Sequence, residues 1–456
     1  MFMTLPRSIA AVLLSTALLI GFFPPFGLSP IEGHVAALTL GAIAFWSTGV
    51  IAEHLTALIF MLLAVLLSVA APPVIFSGFS STAFWMIFAG LIIGVAVKDT
   101  GLGERLASLI ARHIDRSYFT LVAGMVAIGV LMSFIMPSSL GRLMILIPIS
   151  IALAKKCGYT PSDRGYTGII IATAMGNHIP AFTILPANVP NMIMLGQAET
   201  ILGITPLYGE YLLLHFPVLG LIKAVLIIAL VLWLFPESKR PQMSRSTEKK
   251  VFSIDEFKLA TVLFIALILW VTDFIHHISA AWIALAAAVF LLMPHIGVIP
   301  RANLNNLNYS SLFFVVGVLA MGGLIADSGL GNRLGDLVLA HLPVEEGADF
   351  QNFMALSLAA TLTGALATMP SVPAILTPMA TGMAEMSGMS VYTVVMTQVL
   401  GFSTILLPYH SAPLIIAMQI AGLPPGKIIK PIFYLALLTI LLLFPLDYLW
   451  WRFLGW

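Results

Sequence analysis

The chain has 456 residues, 60% of them hydrophobic and only 9% charged, against roughly 45–50% and 25% in an average soluble domain. With a mean hydropathy of +1.04, it cannot be a soluble enzyme, a disordered chain or a secreted disulfide scaffold, and it reads as a polytopic membrane protein. A formal net charge of +1 leaves no basic face for nucleic acid, and the single cysteine, Cys157, makes neither an internal disulfide nor a metal cluster.

A helix needs roughly 20 apolar residues to cross a bilayer. In chain order, spans are expected near 8–24, 34–51, 55–72, 82–97, 165–200 (interrupted), 210–235, 257–275, 279–294, 309–326, 391–422 (interrupted) and 429–450. The apolar stretches 118–155 and 352–388 read as re-entrant helical hairpins. The first span follows Arg7 as a signal peptide would, but no small-residue cleavage site follows Pro24-Pro25. The expected fold is thus all-α, with 11 transmembrane helices. Its divisions are 1–33 (first span), 34–236 (first repeat), 237–256 (cytoplasmic linker) and 257–456 (second repeat).

Basic residues concentrate on cytoplasmic loops. With the N-terminus inside, 17 of the 21 Lys and Arg fall on cytoplasmic segments. Only Arg333 and Arg452 fall outside, while Arg142 and Lys223 sit within apolar stretches. The C-terminus is then external. Turning either hairpin into a full crossing breaks this pattern.

The chain also contains a duplication. Residues 99–109 read DTGLGERLASL and 327–337 read DSGLGNRLGDL, identical at seven of eleven positions with an offset of 228. The first glycine of each copy suits a helix C-cap. Five crossings separate the copies, and an odd number inverts one relative to the other. Two inverted repeats of five helices with interrupted elements are the architecture of secondary transporters.

Four Pro/polar breaks follow the repeat motifs: Met136-Pro137-Ser138-Ser139-Leu140-Gly141-Arg142, Pro186-Ala187-Asn188-Val189-Pro190-Asn191, Thr368-Met369-Pro370-Ser371-Val372-Pro373 and Pro408-Tyr409-His410-Ser411-Ala412-Pro413. Irregular backbone survives at membrane depth only where protein or a water-filled cavity covers it. A hairpin tip offers the free N–H groups of its second helix to an anion. Ser138, Ser139, Thr368, Ser371, Asn188, Asn191 and Ser411 supply further donors for a carboxylate.

On these residues the chain resembles the divalent anion:sodium symporter family, over about 34–450. The family carries a Ser-Asn-Thr tip in each hairpin and a Thr-Pro-Pro-Asn-like break in each following span. Ser138-Ser139-Leu140 and Thr368-Met369-Pro370 take the tip places, each starting ten residues before a proline, Pro148 or Pro378. Asn188-Val189-Pro190-Asn191 and Ser411-Ala412-Pro413-Leu414 stand at the later breaks. A Pro-Ser-Asn-Thr-Ala-Arg variant occurs in the family's citrate and oxoglutarate antiporters, and Pro137-Ser138 and Arg142 keep its ends. Neither tip keeps the Asn or the final Thr. The resemblance implies di- or tricarboxylate transport by a rigid-body elevator, a homodimer in the bilayer, and a sodium site near Ser138, Ser139 and Thr368.

Ionisable residues inside a membrane are functional by default. Arg142 can pair with a carboxylate or stand in for a bound cation. His178 and His410 are candidate donors or proton carriers, and Lys223 reads as interfacial or structural. No Asp or Glu is expected near the middle of a span, which weakens a cation exchanger. The reading is a small-anion transporter of the bacterial inner membrane, without cofactor other than sodium; sodium symport is the family default, and the lost Asn residues and Arg142 point instead to exchange or proton coupling. The alternative is a cation/proton or metalloid-anion permease of the same superfamily.

Overall fold

A computed structural model describes residues 5–25, 27–105, 117–237, 252–299, 307–331, 333–334, 342–366, 368–408 and 411–456. Among them the chain is helical, with no strand. It opens with α1 (Leu5–Phe22), α2 (Pro30–Thr48), α3 (Glu53–Leu66) and α4 (Thr82–Thr100). The first hairpin is α5 (Tyr118–Ile135) and α6 (Ser139–Lys156). The first interrupted span is α7 (Arg164–His178) and α8 (Val189–Leu202), parted by the 3-10 turns Pro180–Thr183 and Leu185–Ala187. There follow α9 (Tyr208–Leu234), α10 (Ile254–Val271), α11 (Ala280–Leu292) and α12 (Tyr309–Asp327). The second hairpin is α13 (Asp349–Leu366) and α14 (Ser371–Ser387), which bend by 119°. α15 (Val391–Phe402) and α16 (Ala412–Ile420) form the second interrupted span, and α17 (Gly426–Phe453) ends the chain.

Among the described residues, five helices (α4, α5, α9, α12 and α17) are long and apolar enough to cross a membrane, and the bent α13–α14 pair has the length and composition of a sixth if it is one broken span rather than a re-entrant loop. The others expected to cross are short, as α3, α11 and α15 are, or carry charges in the first turn, as α10 does. Although α5 is an arm of the expected re-entrant hairpin, its 18 residues are about 27 Å of helix and also suffice for a crossing.

The chain forms two compact units, each drawing on both halves of the sequence. The first comprises Met1–Ile87, Val189–Thr205 and Asn308–Phe402; the second comprises Phe88–Asn188, Pro206–Leu307 and Ser403–Trp456. Two of the changes of unit fall within the interrupted spans, after Asn188 and after Phe402.

Each unit packs one hairpin arm against the first part of an interrupted span. In the second unit α5 lies on α7, and a Cβ added at Gly129 would stand 2.5 Å from the Asn177 backbone nitrogen. In the first unit α13 lies on α15, and a Cβ at Gly401 would stand 2.3 Å from Ala360 Cβ. Small residues let membrane helices approach this closely, because lipid provides no hydrophobic drive and dispersion contacts must hold the pair.

The two copies of the repeat motif make the same local structure. Gly101 and Gly329 end α4 and α12 with φ of +76° and +79°, the left-handed conformation that favours glycine. One turn later each copy presents its arginine. Arg105 Nε lies 2.6 Å from Glu256 in the second unit, and Arg333 Nε lies 2.7 Å from Glu32 in the first. Both acids close a capping box, with Ser253 ahead of α10 and Ser29 ahead of α2. Each arginine is thus tied to the helix start of the opposite sequence half.

Candidate functional site

The second unit gathers the first hairpin tip, the first helix break and Ser411. α5 is capped at Met136, Pro137 interrupts the helix, and Ser138 is the N-cap of α6, accepting the Gly141 N–H at 3.1 Å. Arg142 follows one turn into α6 and is 0% exposed.

Four of the five guanidinium N–H groups have partners at the break. Nε donates to Asn177 Oδ1 at 2.8 Å, and Nη2 donates to the Asn177 carbonyl at 3.2 Å. Nη1 donates to the carbonyls of Met136 and, at 3.3 Å, Ala187. Asn177 in turn donates from Nδ2 to the Ser139 carbonyl at 3.1 Å. The fixed charge of Arg142 therefore sits in a cage of three backbone carbonyls and one amide oxygen. Such carbonyls, freed where helices are interrupted, bind the coupling cation in secondary transporters. The guanidinium faces this cage rather than open space.

His178 ends α7 and bridges two serines. Its Nδ1 lies 2.5 Å from Ser139 Oγ and its Nε2 lies 2.7 Å from Ser411 Oγ. A neutral imidazole has one donor and one acceptor nitrogen, so one serine donates to the ring and the other accepts from it. Ser411 begins α16 without using its hydroxyl as a cap, which leaves that hydroxyl for His178. The Phe182 ring packs edge-on at 5.1 Å and holds the imidazole in place. Asn188 points its amide into the break itself, donating to the Ala187 carbonyl at 3.0 Å and accepting the Phe182 N–H at 3.2 Å.

The second unit thus brings together Ser138, Ser139, Arg142, His178, Asn188 and Ser411. The first unit holds the remaining described candidates. There Thr368 Oγ1 and Ser371 Oγ lie 2.9 Å apart at the second tip, and Asn191 is buried in α8. His410 lies outside the described residues. The sequence reading missed Asn177, whose signal was a polar Asn-His pair ending an apolar helix two residues before Pro180.

Two further ionisable residues are buried. Lys223, read as interfacial or structural, is 1% exposed, and its Nζ donates to the Ser403 carbonyl at 2.8 Å. Asp447, passed over in the sequence, is 0% exposed inside α17.

A hairpin tip and broken helices meeting around buried polar groups define a secondary transporter. The chain belongs to the family described as the sodium:sulfate symporter transmembrane region, which matches residues 6–456. It is an integral membrane transporter and not an enzyme. A "Membrane protein" of Cupriavidus necator H16 is 24% identical over 485 aligned positions, covering 100% of this chain and 94% of that one. The "Citrate/succinate antiporter" of Escherichia coli K12 is 24% identical over 288 positions, covering 58% of this chain and 57% of that one. The "L-tartrate/succinate antiporter" of Escherichia coli K12 is 23% identical over 286 positions, again covering 58% and 57%. The chain therefore aligns with little more than half the length of those two antiporters. The crystal structure of the YdaH transporter of Alcanivorax borkumensis shares the fold, with a TM-score of 0.54 at 16% identity over 99% of this chain and 98% of that one.

The family's description implies a sodium ion. The first tip does not suit one, because the guanidinium already fills the carbonyl cage and a second cation there would meet its full charge at short range.

Proposed function

We propose that this protein exchanges small carboxylates, di- or tricarboxylates, across the membrane without a sodium ion at its first tip. The observation that carries this reading is the Arg142 guanidinium in its cage of carbonyls. Arg142 supplies permanently the positive charge that a bound cation would otherwise bring. The N-terminus of α6 and the hydroxyls of Ser138, Ser139 and Ser411 then favour a carboxylate beside it. The two Escherichia coli relatives named as antiporters support the same reading. The apolar runs and the duplicated motif supply eleven crossings in two inverted repeats, and from the family resemblance we carry over alternating access by elevator motion and a homodimer. The charge count adds an inner-membrane orientation with the N-terminus cytoplasmic.

Labelled succinate and citrate uptake into proteoliposomes tests this, with and without a sodium gradient and with unlabelled anion inside. Uptake should need internal anion and ignore sodium. Uptake driven by sodium alone would return the protein to symport. Cation-dependent transport without competition by organic anions would select the permease alternative.

A further inference from the structure

A second group of buried ionisable side chains lies in the second unit, apart from the tip. α9 and α17 each contain a π-turn, Phe216–Ile222 and Thr439–Leu443. Such turns are rare and recur at functional sites. His215 immediately precedes the first and Lys223 immediately follows it; Asp447 comes four residues after the second. All three residues are at most 1% exposed.

Their polar atoms are not all balanced by neighbours. Neither ring nitrogen of His215 has a hydrogen-bond partner, and the side chain that hydrogen-bonds the Asp447 carboxyl is that of Trp451. The Trp451 indole lies one turn along α17 from Asp447 and edge-on to the His215 ring, with centroids 5.6 Å apart. Tyr211 packs on the other side of His215 at 4.7 Å and uses its hydroxyl on the Phe182 carbonyl. The end of α17 that carries Asp447 packs against the π-turn that His215 and Lys223 flank, which brings the Lys223 charge to bear on Asp447 across that contact. A buried carboxylate is costly in such a place even with one indole N–H beside it, so its charge must be met by Lys223 or removed by a proton.

We propose that Asp447, Lys223 and His215 form an intramembrane proton-binding site that couples proton movement to anion exchange. A proton leaves hydronium on one side of the membrane and forms an O–H bond at an Asp447 carboxyl oxygen. The Lys223–Asp447 pair then changes from neutral to singly positive. Release to water on the other side restores it. The link to the anion site is the Lys223 ammonium, which holds the Ser403 carbonyl at 2.8 Å and the Ser403 hydroxyl at 3.4 Å, just past the end of α15. Eight residues on, the same segment supplies Ser411 to His178. A proton on Asp447 frees Lys223 from its counter-charge and strengthens its hold on Ser403, setting the break that carries Ser411.

The coupling half of this proposal rests on the exchanger reading; the proton site does not. The experiment therefore has two arms. Infrared difference spectra between acid and alkaline pH contain the bands of all the carboxyls, and subtracting the Asp447→Asn difference spectrum from that of the purified wild type should leave one titrating protonated-carboxyl band. Asp447→Glu should restore that band, shifted. A subtraction that leaves no such band overturns the site. In proteoliposomes loaded with a pH-sensitive dye, labelled-succinate exchange should move protons with the anion, and Asp447→Asn should lose that movement. Anion exchange with no proton movement in the wild type overturns the coupling. If the wild type exchanges no anion at all, the exchanger reading and the coupling fall together, and the infrared arm still decides the proton site. Should Asp447→Asn fail to fold, Lys223→Met serves in its place and must shift the pH at which the band titrates.

Discussion

The two hairpin tips occupy equivalent places in the sequence and are built differently. The first continues into α6, an uninterrupted 18-residue helix that runs through Pro148. Its charge is a guanidinium tied to three carbonyls. The second enters a shorter path: Ser371–Leu376 is helical, Thr377–Met379 tightens to a 3-10 turn at Pro378, and Ala380–Ser387 is helical again. The tip itself, 368–373, has no ionisable residue in its sequence and pairs the hydroxyls of Thr368 and Ser371. The two tips stand at matching places in the sequence, and only the first holds a permanent cation. The lesson is that a repeat fixes where a site can be, while single residues fix which ion it needs.

The sharpest way to break this comparison is Arg142→Ala. It leaves three carbonyls and an amide oxygen without donors, and each buried acceptor left unsatisfied costs about 1–3 kcal/mol. If that cost falls on the anion-binding state, exchange drops by roughly 100-fold or more, at 1.4 kcal/mol per decade. Adding sodium should partly restore it, because the emptied cage then offers a cation site. A variant that exchanges succinate at the wild-type rate would remove the arginine from the mechanism.

Two glycines sharpen the contrast further. Gly129→Ala pushes α5 off the backbone at Asn177, and Gly401→Ala pushes α15 off Ala360. Each overpacked contact should cost about 1–3 kcal/mol and lower the unfolding temperature in detergent. Only Gly129→Ala should weaken exchange beyond its loss of stability, since Asn177 orients Arg142. Equal functional losses would mean that the tips respond alike.

The hydroxyl contacts come next. His178→Ala removes two hydrogen bonds, about 1–3 kcal/mol together, and should raise the KM for succinate by roughly 5- to 150-fold. Thr368→Val removes one such bond at the second tip and should shift the KM by at most about 10-fold. A larger effect at Thr368 would move the anion site to the second tip.

The smallest effect concerns pH. The hydrogen bond from Arg105 holds the Glu256 carboxyl below the usual carboxylate range, aided by the Ser253 backbone and hydroxyl. A depressed pKa in the folded state stabilises above the unfolded value and is lost as pH falls through the folded one. Thermal unfolding in detergent should therefore show the wild type losing stability in acid. Arg105→Ala should be less stable near neutrality and converge with the wild type at low pH. A constant difference across pH would exclude the ion pair.

Much of the architecture was legible in the chain. Apolar runs located the helices, Pro-Ser and Pro-Asn clusters located the breaks, and glycines at 101 and 329 located two helix ends. All of these act locally, through desolvation of the backbone and its allowed dihedrals. The choice of partners was not legible. Arg142 stood out as an intramembrane charge, but its carbonyl partners come from residues up to 45 positions away. Asp447 drew no notice because it stands near the end of the last apolar run, where nothing in the sequence marks a buried carboxyl. Only the packing of α9 and α17 brings it under the influence of Lys223. The sequence by itself determined a helical membrane protein with duplicated hairpins and breaks, since hydropathy and backbone chemistry are properties of adjacent residues. Tertiary structure decided which buried charge meets which acceptor, since that depends on helices distant along the chain closing around a place that water cannot enter.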